Sequence, residues 1–264
     1  MIEIRHMQVT FNAGTPLENP ALRGINLDIP AGQFLTVIGG NGAGKSTLLN
    51  ALSGEISVSA GRIGFDGQDV THWPVAQRAR WVARVFQDPL AGTCAELTVQ
   101  ENLALAAARG QGRSLRPALT AAARARFRDS LARLGLGLEN RLQDRMSLLS
   151  GGQRQAVSLL MATLQPMKIL LLDEHTAALD PKTAAFVLDL TRRIVAERQL
   201  TALMVTHSLR HALDIGTRTL MLHQGRIVLD IAGTERARLD VPDLLRLFEV
   251  AQGEPVTDDE LLLG

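Results

Sequence analysis

Short segments of this chain carry residue types suited to phosphate chemistry. Gly39-Gly40-Asn41-Gly42-Ala43-Gly44-Lys45-Ser46 sets glycines, a lysine and a hydroxyl in the spacing G-x-x-x-x-G-K-S. Such glycines let the backbone wrap tightly, so that successive N–H groups point at phosphate oxygens. Lys45 would neutralise β- and γ-phosphates, and the Ser46 hydroxyl would ligate magnesium. Lys168-Ile169-Leu170-Leu171-Leu172-Asp173-Glu174 is an apolar run closed by two acids. An acid at the carboxyl end of a central parallel strand emerges beside a phosphate site. Asp173 would then serve the magnesium through water, and Glu174 would polarise an attacking water. Leu149-Ser150-Gly151-Gly152-Gln153-Arg154-Gln155 reads as a helix start with Ser150 as N-cap, where two glycines leave N–H groups uncovered. Each segment also has a plain reading: a Gly-rich turn, two exposed loop carboxylates, a Ser-Gly-Gly turn.

The elements needed to position these residues are legible nearby. Phe34-Leu35-Thr36-Val37-Ile38 is a buried strand ahead of the glycines, and a helical pattern follows from Ser46. Further strand-sized apolar runs fall at Ile169–Leu172, Ala202–Val205 and Leu220–Leu222, with a helical pattern over 181–198. Strands alternating with helices predict a parallel sheet with crossover helices. The N-terminal part differs. Ile25, Leu27 and Ile29 alternate with polar residues, Ile2-Glu3-Ile4 and Val9-Thr10-Phe11 do so more weakly, and 61–67 predicts a short strand between turns. Asn12 to Pro20 reads as a loop because it carries Gly14, Pro16 and Pro20. From about 98 to 165 the chain turns helical and Arg-rich, with Arg109, Arg113, Arg116, Arg124, Arg126, Arg128 and Arg133. These read as a solvated face, since only Phe127 interleaves with them as a nucleic-acid surface would require.

Composition sets limits on partners. The 264 residues suffice for a real hydrophobic core, and Lys plus Arg (28) against Asp plus Glu (27) leaves a net charge of +1. That balance supplies no electrostatic attraction for nucleic acid or anionic membrane. The single cysteine, Cys94, forms no intrachain disulfide. No signal peptide is expected, because charges interrupt residues 1–11, and no stretch approaches the ~20 apolar residues of a spanning helix. Any membrane process would need another chain for the membrane part.

Taken in order, 39–46, Ser150-Gly151-Gly152-Gln153, 169–174 and His207 resemble the Walker A, signature, Walker B and switch motifs of ABC transporter ATPase domains. The likeness spans residues 1–230. It implies an α/β fold: a P-loop NTPase with a RecA-like core and an antiparallel β subdomain (1–88 and 166–230), an inserted helical subdomain (89–165) and a C-terminal extension (231–264). It implies ATP and Mg2+ as ligands. ATP would be bound by Phe11, stacking on adenine, and by Gly39, Gly40, Asn41, Gly42, Ala43, Gly44, Lys45, Ser46 and Thr47. Phe11 also has a plain reading as a core-facing strand aromatic. Ser46, Gln87 and Asp173 would serve the metal, and Glu174, His207 and Gln87 the reaction. Ser150, Gly151, Gly152 and Gln153 would cap the nucleotide of a second copy, giving a head-to-tail ATP-sandwich homodimer. Asp180, in Ala178-Leu179-Asp180, matches the D-loop at that interface, although Asp180-Pro181 is also a good N-cap and N1 pair.

His175 departs from the family pattern, which has proline after the acidic pair. It reads as a tolerated loop substitution or as an imidazole that tunes Glu174; the first is expected. This form, with 149–156 and the tail near Asp258-Asp259-Glu260-Leu261-Leu262-Leu263, resembles the ATPases of uncharacterised bacterial ABC import systems. The resemblance implies a cytoplasmic subunit, peripheral on the inner membrane face through a permease and served indirectly by a substrate-binding protein. Importer is the expected direction, since no membrane domain is fused. An exporter ATPase with a separate permease and a soluble iron–sulfur assembly ATPase are the alternatives. After Gln87, the Pro and Gly of 88–95 predict a mobile loop. Thr98 and Glu101 then predict a capping box, and 88–104 should border the permease. Removing the lysine is the direct check on the glycine-rich segment. Lys45→Ala is expected to abolish measurable ATP hydrolysis, since a phosphate-contacting charge contributes several kcal/mol in such a site. Unchanged turnover would mean that the loop does not hold phosphate.

Overall fold

A computed structural model describes residues 1–112 and 117–252. The expectations for Arg113, Arg116 and the tail near Asp258 lie outside the described residues. The described residues divide into two compact units, 1–78 with 199–252, and 79–198.

The first unit holds an antiparallel sheet in the order β2-β1-β4-β5, made of β1 (Ile2–Phe11), β2 (Asn19–Ile29), β4 (Ala60–Phe65) and β5 (Gln68–Asp69). Ile2, Ile4, Met7 and Val9 face inward with Leu22, Ile25, Leu27 and Ile29 from the partner strand. The two weak N-terminal signals are one strand, interrupted by a register shift around His6, whose φ is 48°. The expected loop to Pro20 is shorter, because Asn19 and Pro20 already pair with Phe11 and Thr10. Proline fits there at the strand's start.

The same unit carries strands in the order β10-β9-β3-β8: β3 (Phe34–Ile38), β8 (Ala202–Val205), β9 (Arg218–His223) and β10 (Arg226–Ala232). β3 runs parallel to β8 and β9, and β10 closes the edge antiparallel to β9. Every residue of β3 is buried, as a parallel strand covered on both faces requires. Helices α1 (Lys45–Ser53), α2 (Val75–Arg78), α7 (Leu209–Ile215), α8 (Gly233–Arg236) and α9 (Val241–Gln252) complete the unit. Leu244 and Phe248 of α9 join Ile38, Leu209, Ala212, Met221 and Ile231 in one apolar cluster.

The second unit has a parallel pair, β6 (Val82–Val85) and β7 (Ile169–Asp173), with α3 (Val99–Ala107), α4 (Ala121–Ala132), α5 (Gly151–Thr163) and α6 (Pro181–Glu197). The expected Thr98–Glu101 capping box starts α3, and hydrogen bonds from Thr98 hold the Glu101 carboxyl below its ordinary pKa. Residues 88–95 form no helix, as expected, yet their backbone is tied down. The Asn102 side chain accepts from Cys94 N at 2.8 Å and donates to the carbonyls of Cys94 and Thr98, each at 3.0 Å. Most arginines of this region are solvated as expected. Arg109 is not: its guanidinium donates to the carbonyls of Ala162 and Gln165 and closes the end of α5.

Arg78 does the same for α1, with only 1% of its surface exposed. Its guanidinium donates to Leu52 O at 3.0 Å, Val70 O at 2.7 Å and Thr71 O at 2.8 Å, and also to Ala51 O. Burial pushes its pKa down, and the cation lies at the negative end of the α1 dipole. Arg78→Ala removes the guanidinium from these carbonyls, of which Ala51 O and Val70 O keep a backbone donor, and is expected to cost about 3 kcal/mol of stability. Urea unfolding monitored by circular dichroism measures it, and a change below about 1 kcal/mol would show that water replaces the guanidinium.

Candidate functional site

The glycine-rich segment links the C-terminal end of β3 to α1. Gly44 precedes the helix with φ 102°, and a Cβ there would stand 2.8 Å from Ala21 O. At Gly39 (φ 149°) a Cβ would come within 2.2 Å of Leu222 O on the neighbouring strand. The loop can therefore lie against β9 only with glycine at its first position. Gly42 has φ 74° with nothing within 4 Å of its Cβ position, so backbone conformation alone asks for glycine there. Lys45 is 6% exposed, and its Nζ donates to Gly39 O at 2.7 Å and Gly40 O at 2.9 Å. The ammonium is thereby aimed across the mouth of its own loop. Ala43 is buried, while Asn41 and Ser46 are exposed and Gly40 and Thr47 are half-buried. The N–H groups of the first turn of α1 have no acceptors inside the helix, so loop and helix start together form an anion cradle.

Strand register decides what stands beside this cradle. Val37 pairs with Val205, so the parallel register carries Gly39 and His207 out at matching positions. His207 is half-buried between β8 and α7, whose N-cap is Ser208. Phe11, at the end of β1, is 39% exposed. It is not the core-facing strand aromatic that was its plain reading.

In the second unit the same rule operates. Val85 pairs with Leu172, so Gln87 and Glu174 leave their strands at matching positions. Gln87 is exposed and Glu174 half-buried. Asp173, the last residue of β7, takes a 2.6 Å ion pair from Arg84 Nη2, with both side chains largely buried. Arg84 also lies 4.7 Å over the Phe86 ring. The pair uses Asp173 Oδ2 and fixes the direction of the carboxylate. Sequence reading did not single out Arg84; the available signal was an arginine inside an apolar run, and its partner in the register, Leu171, lies two residues before Asp173.

Ser150 caps α5 as expected. Its Oγ accepts from Gln153 N at 3.3 Å, and its own N–H donates to Gln153 Oε1 at 3.1 Å. Gly151 and Gly152 occupy the first turn, where N–H groups have no acceptor inside the helix. Gly151 is exposed, but a Cβ on Gly152 would lie 2.1 Å from Thr183 Cγ2. The second glycine is therefore required by the packing of α5 on α6. Asp180 caps α6, accepting from Thr183 N at 3.1 Å, with Pro181 at its first position. Hydrogen bonds from Thr183 hold the Asp180 carboxyl below its ordinary pKa. Gln155, buried on α5, donates to Phe86 O at 3.1 Å and joins the signature helix to the strand end before Gln87.

Among the described residues no group of three or more His, Cys, Asp and Glu is placed to hold a metal by itself. Magnesium keeps water and takes one or two protein oxygens together with substrate phosphates. The Ser46 hydroxyl and the Asp173 carboxylate are hard oxygens of the type such an ion takes.

Comparison with known proteins agrees with this chemistry. The ABC transporter family model matches residues 22–177. The tyrosine transport ATP-binding protein of Clostridioides difficile is 44% identical over 251 residues, covering 95% of this chain and all of that protein. The thiamine import ATP-binding protein ThiQ of Brucella abortus is 34% identical over 247 residues, covering 93% of this chain and 95% of its own. A dimeric ATP-binding cassette solved in a post-hydrolysis state with ADP and Pi superposes with a TM-score of 0.75 at 26% identity, over 88% of this chain and 98% of that one. A cradle held by Lys45, two acids closing β7 and a second capped helix start thus coincide with a matched family and with full-length relatives. This chain belongs to the ABC transporter family and is an ATP-hydrolysing, ATP-binding cassette.

Proposed function

We propose that this chain is the ATPase of an importer: it closes on ATP as a homodimer and drives a separate membrane permease from the cytoplasmic face. The observation carrying the dimer is the presence of two helix-start anion cradles, 39–46 and 150–153, one in each unit of the chain. One nucleotide needs one cradle from each of two copies. The dimeric cassette bound to ADP and Pi supports the same arrangement.

In this reading Lys45 and the N–H groups of 39–47 hold the phosphates, and Phe11 stacks on adenine. Magnesium, when bound, would supply positive charge to offset that of the phosphates. Ser46 and Asp173 would hold it, with Arg84 orienting Asp173, and Gln87 would serve it from the end of β6. Glu174 accepts a hydrogen bond from the attacking water and polarises it. The water oxygen bonds to the γ-phosphorus, the bond to the β–γ bridging oxygen breaks, and ADP leaves with that electron pair. His207 donates to the γ-phosphate. Ser150, Gly151, Gly152 and Gln153 of the second copy cap it, and Asp180 lies at the copy–copy boundary.

The segment 89–165 acts as the inserted helical subdomain and 231–264 as a C-terminal extension. Import is supported by relatives named for import of thiamine and of aliphatic sulfonates, and transport of tyrosine by a third. Their solutes differ while the nucleotide segments serve one chemistry, so the solute is selected by the permease and a substrate-binding protein. Residues 88–104 border the permease.

Glu174→Gln with ATP and magnesium is expected to bind nucleotide, hydrolyse it at least a hundredfold more slowly and run as a dimer in light scattering. A strictly monomeric variant at saturating ATP would oppose the sandwich. The permease contact has its own check. Cys94, exposed and unique in the chain, should crosslink to a cytoplasmic loop of the permease in the assembled transporter. Crosslinks confined to cysteines placed beside Arg124 and Arg128 would move the docking face there.

A further inference from the structure

The loop that carries Glu174 is strained and anchored from outside. Glu174 has φ 44°, a left-handed conformation that is uncommon for a residue with a side chain. Such a backbone persists only where surrounding contacts over-determine it. The next residue, His175, is 1% exposed, although it belongs to the connection between β7 and α6. Its Nε2 lies 2.9 Å from Thr191 Oγ1, and Thr191, itself fully buried, sits in the middle of α6. The Thr191 hydroxyl donates to Val187 O at 2.8 Å. A hydroxyl has one proton, so toward His175 this oxygen can only accept. The imidazole therefore carries hydrogen on Nε2 and donates it to α6.

Two further bonds shape the connection. Ala177 N donates to Glu174 O at 2.9 Å, and Leu179 N donates to Thr176 O at 3.2 Å. Asp180 then caps α6. These local bonds fold the loop on itself, and the His175 ring ties it to a point well inside the helix. A shift of α6 along or about its axis would move Thr191, and the His175 bond would pull on the peptide that joins it to Glu174.

We propose that His175 is a positioning residue for Glu174, and that its ring N–H bond to Thr191 holds the reacting carboxylate's backbone left-handed and makes its aim depend on α6. This rests on the reading of Glu174 as the group that polarises water. It is the tuning reading of His175 in structural form, set against the expected reading as a tolerated loop substitution, and the burial of the ring is the observation that favours it.

Matched pairs of substitutions test it. Thr191→Val removes the acceptor and keeps the branched shape; Thr191→Ser keeps the acceptor. His175→Leu removes the donor; His175→Gln offers an amide N–H in place of Nε2. Thr191→Val and His175→Leu are expected to lower kcat about tenfold with KM for ATP and binding of a fluorescent ATP analogue within about twofold of wild type. Thr191→Ser and His175→Gln should retain kcat within about twofold. Assays run well below each variant's melting midpoint, so that lost stability alone leaves kcat unmoved. Selective 15N labelling of the six histidines adds a readout independent of turnover. The resonance lost in His175→Gln should show a protonated Nε2 in wild type and should shift in Thr191→Val. Wild-type kcat in both removal variants, or equal losses in the removal and retention variants, overturns the proposal. Glu174→Gln in the same assay separates the two readings. If it is inactive while the removal variants stay fully active, only the tether fails; if it turns over at the wild-type rate, the reading of Glu174 fails as well.

Discussion

Register between parallel strands governs where each candidate group can emerge. A parallel pair ends both strands at the same edge, so residues beyond the last paired positions leave side by side. Val37 opposite Val205 and Val85 opposite Leu172 place the ends of their strands in this way. Gly39 with His207, and Gln87 with Glu174, follow directly. Slipping either pair by one residue would turn these side chains to the opposite face. The fully buried runs of β3 and β8 hold that register, because no residue in them can move to solvent without opening the core.

Most of the machinery was legible where short-range rules act. Glycines with a lysine, an apolar run closed by acids and a serine before Gly-Gly each signal a local backbone shape, and caps at Ser150, Thr98 and Asp180 need only neighbours within a turn. What stayed hidden depends on partners distant in sequence. His175 finds Thr191, Arg84 finds Asp173, and Gly152 meets Thr183. Strand β6 was missed for a related reason. Its four residues include an arginine, which breaks the apolar signal, and that arginine is buried only because Asp173 receives it. The continuity of β1 was obscured by the bulge at His6, which shifts the alternation halfway along the strand.

Arginine illustrates the limit of composition. A near-balance of charges says that the surface lacks a strong sign, yet several guanidiniums are spent inside. Arg78, Arg109 and Arg236 each reach backbone carbonyls near the end of a helix, and burial lowers the pKa of each. A rigid planar fork of five donors can reach carbonyls on both sides of a helix end, as Arg78 does with Leu52, Val70 and Thr71. For α1 the result is a helix held at both ends: Arg78 at its carboxyl end, and at its amino end Lys45 folded back onto the Gly39 and Gly40 carbonyls.

The near-contact at Gly152 bears on motion. With Thr183 Cγ2 standing where a Cβ would be, the starts of α5 and α6 interlock without room for a single methyl group. Two surfaces meshed so closely cannot roll or slide past each other. Segments 150–153 and 180–183 are therefore expected to move together, since a shift of one start against the other would first have to displace the Thr183 side chain. A disturbance arriving at either helix start is felt at once by the other.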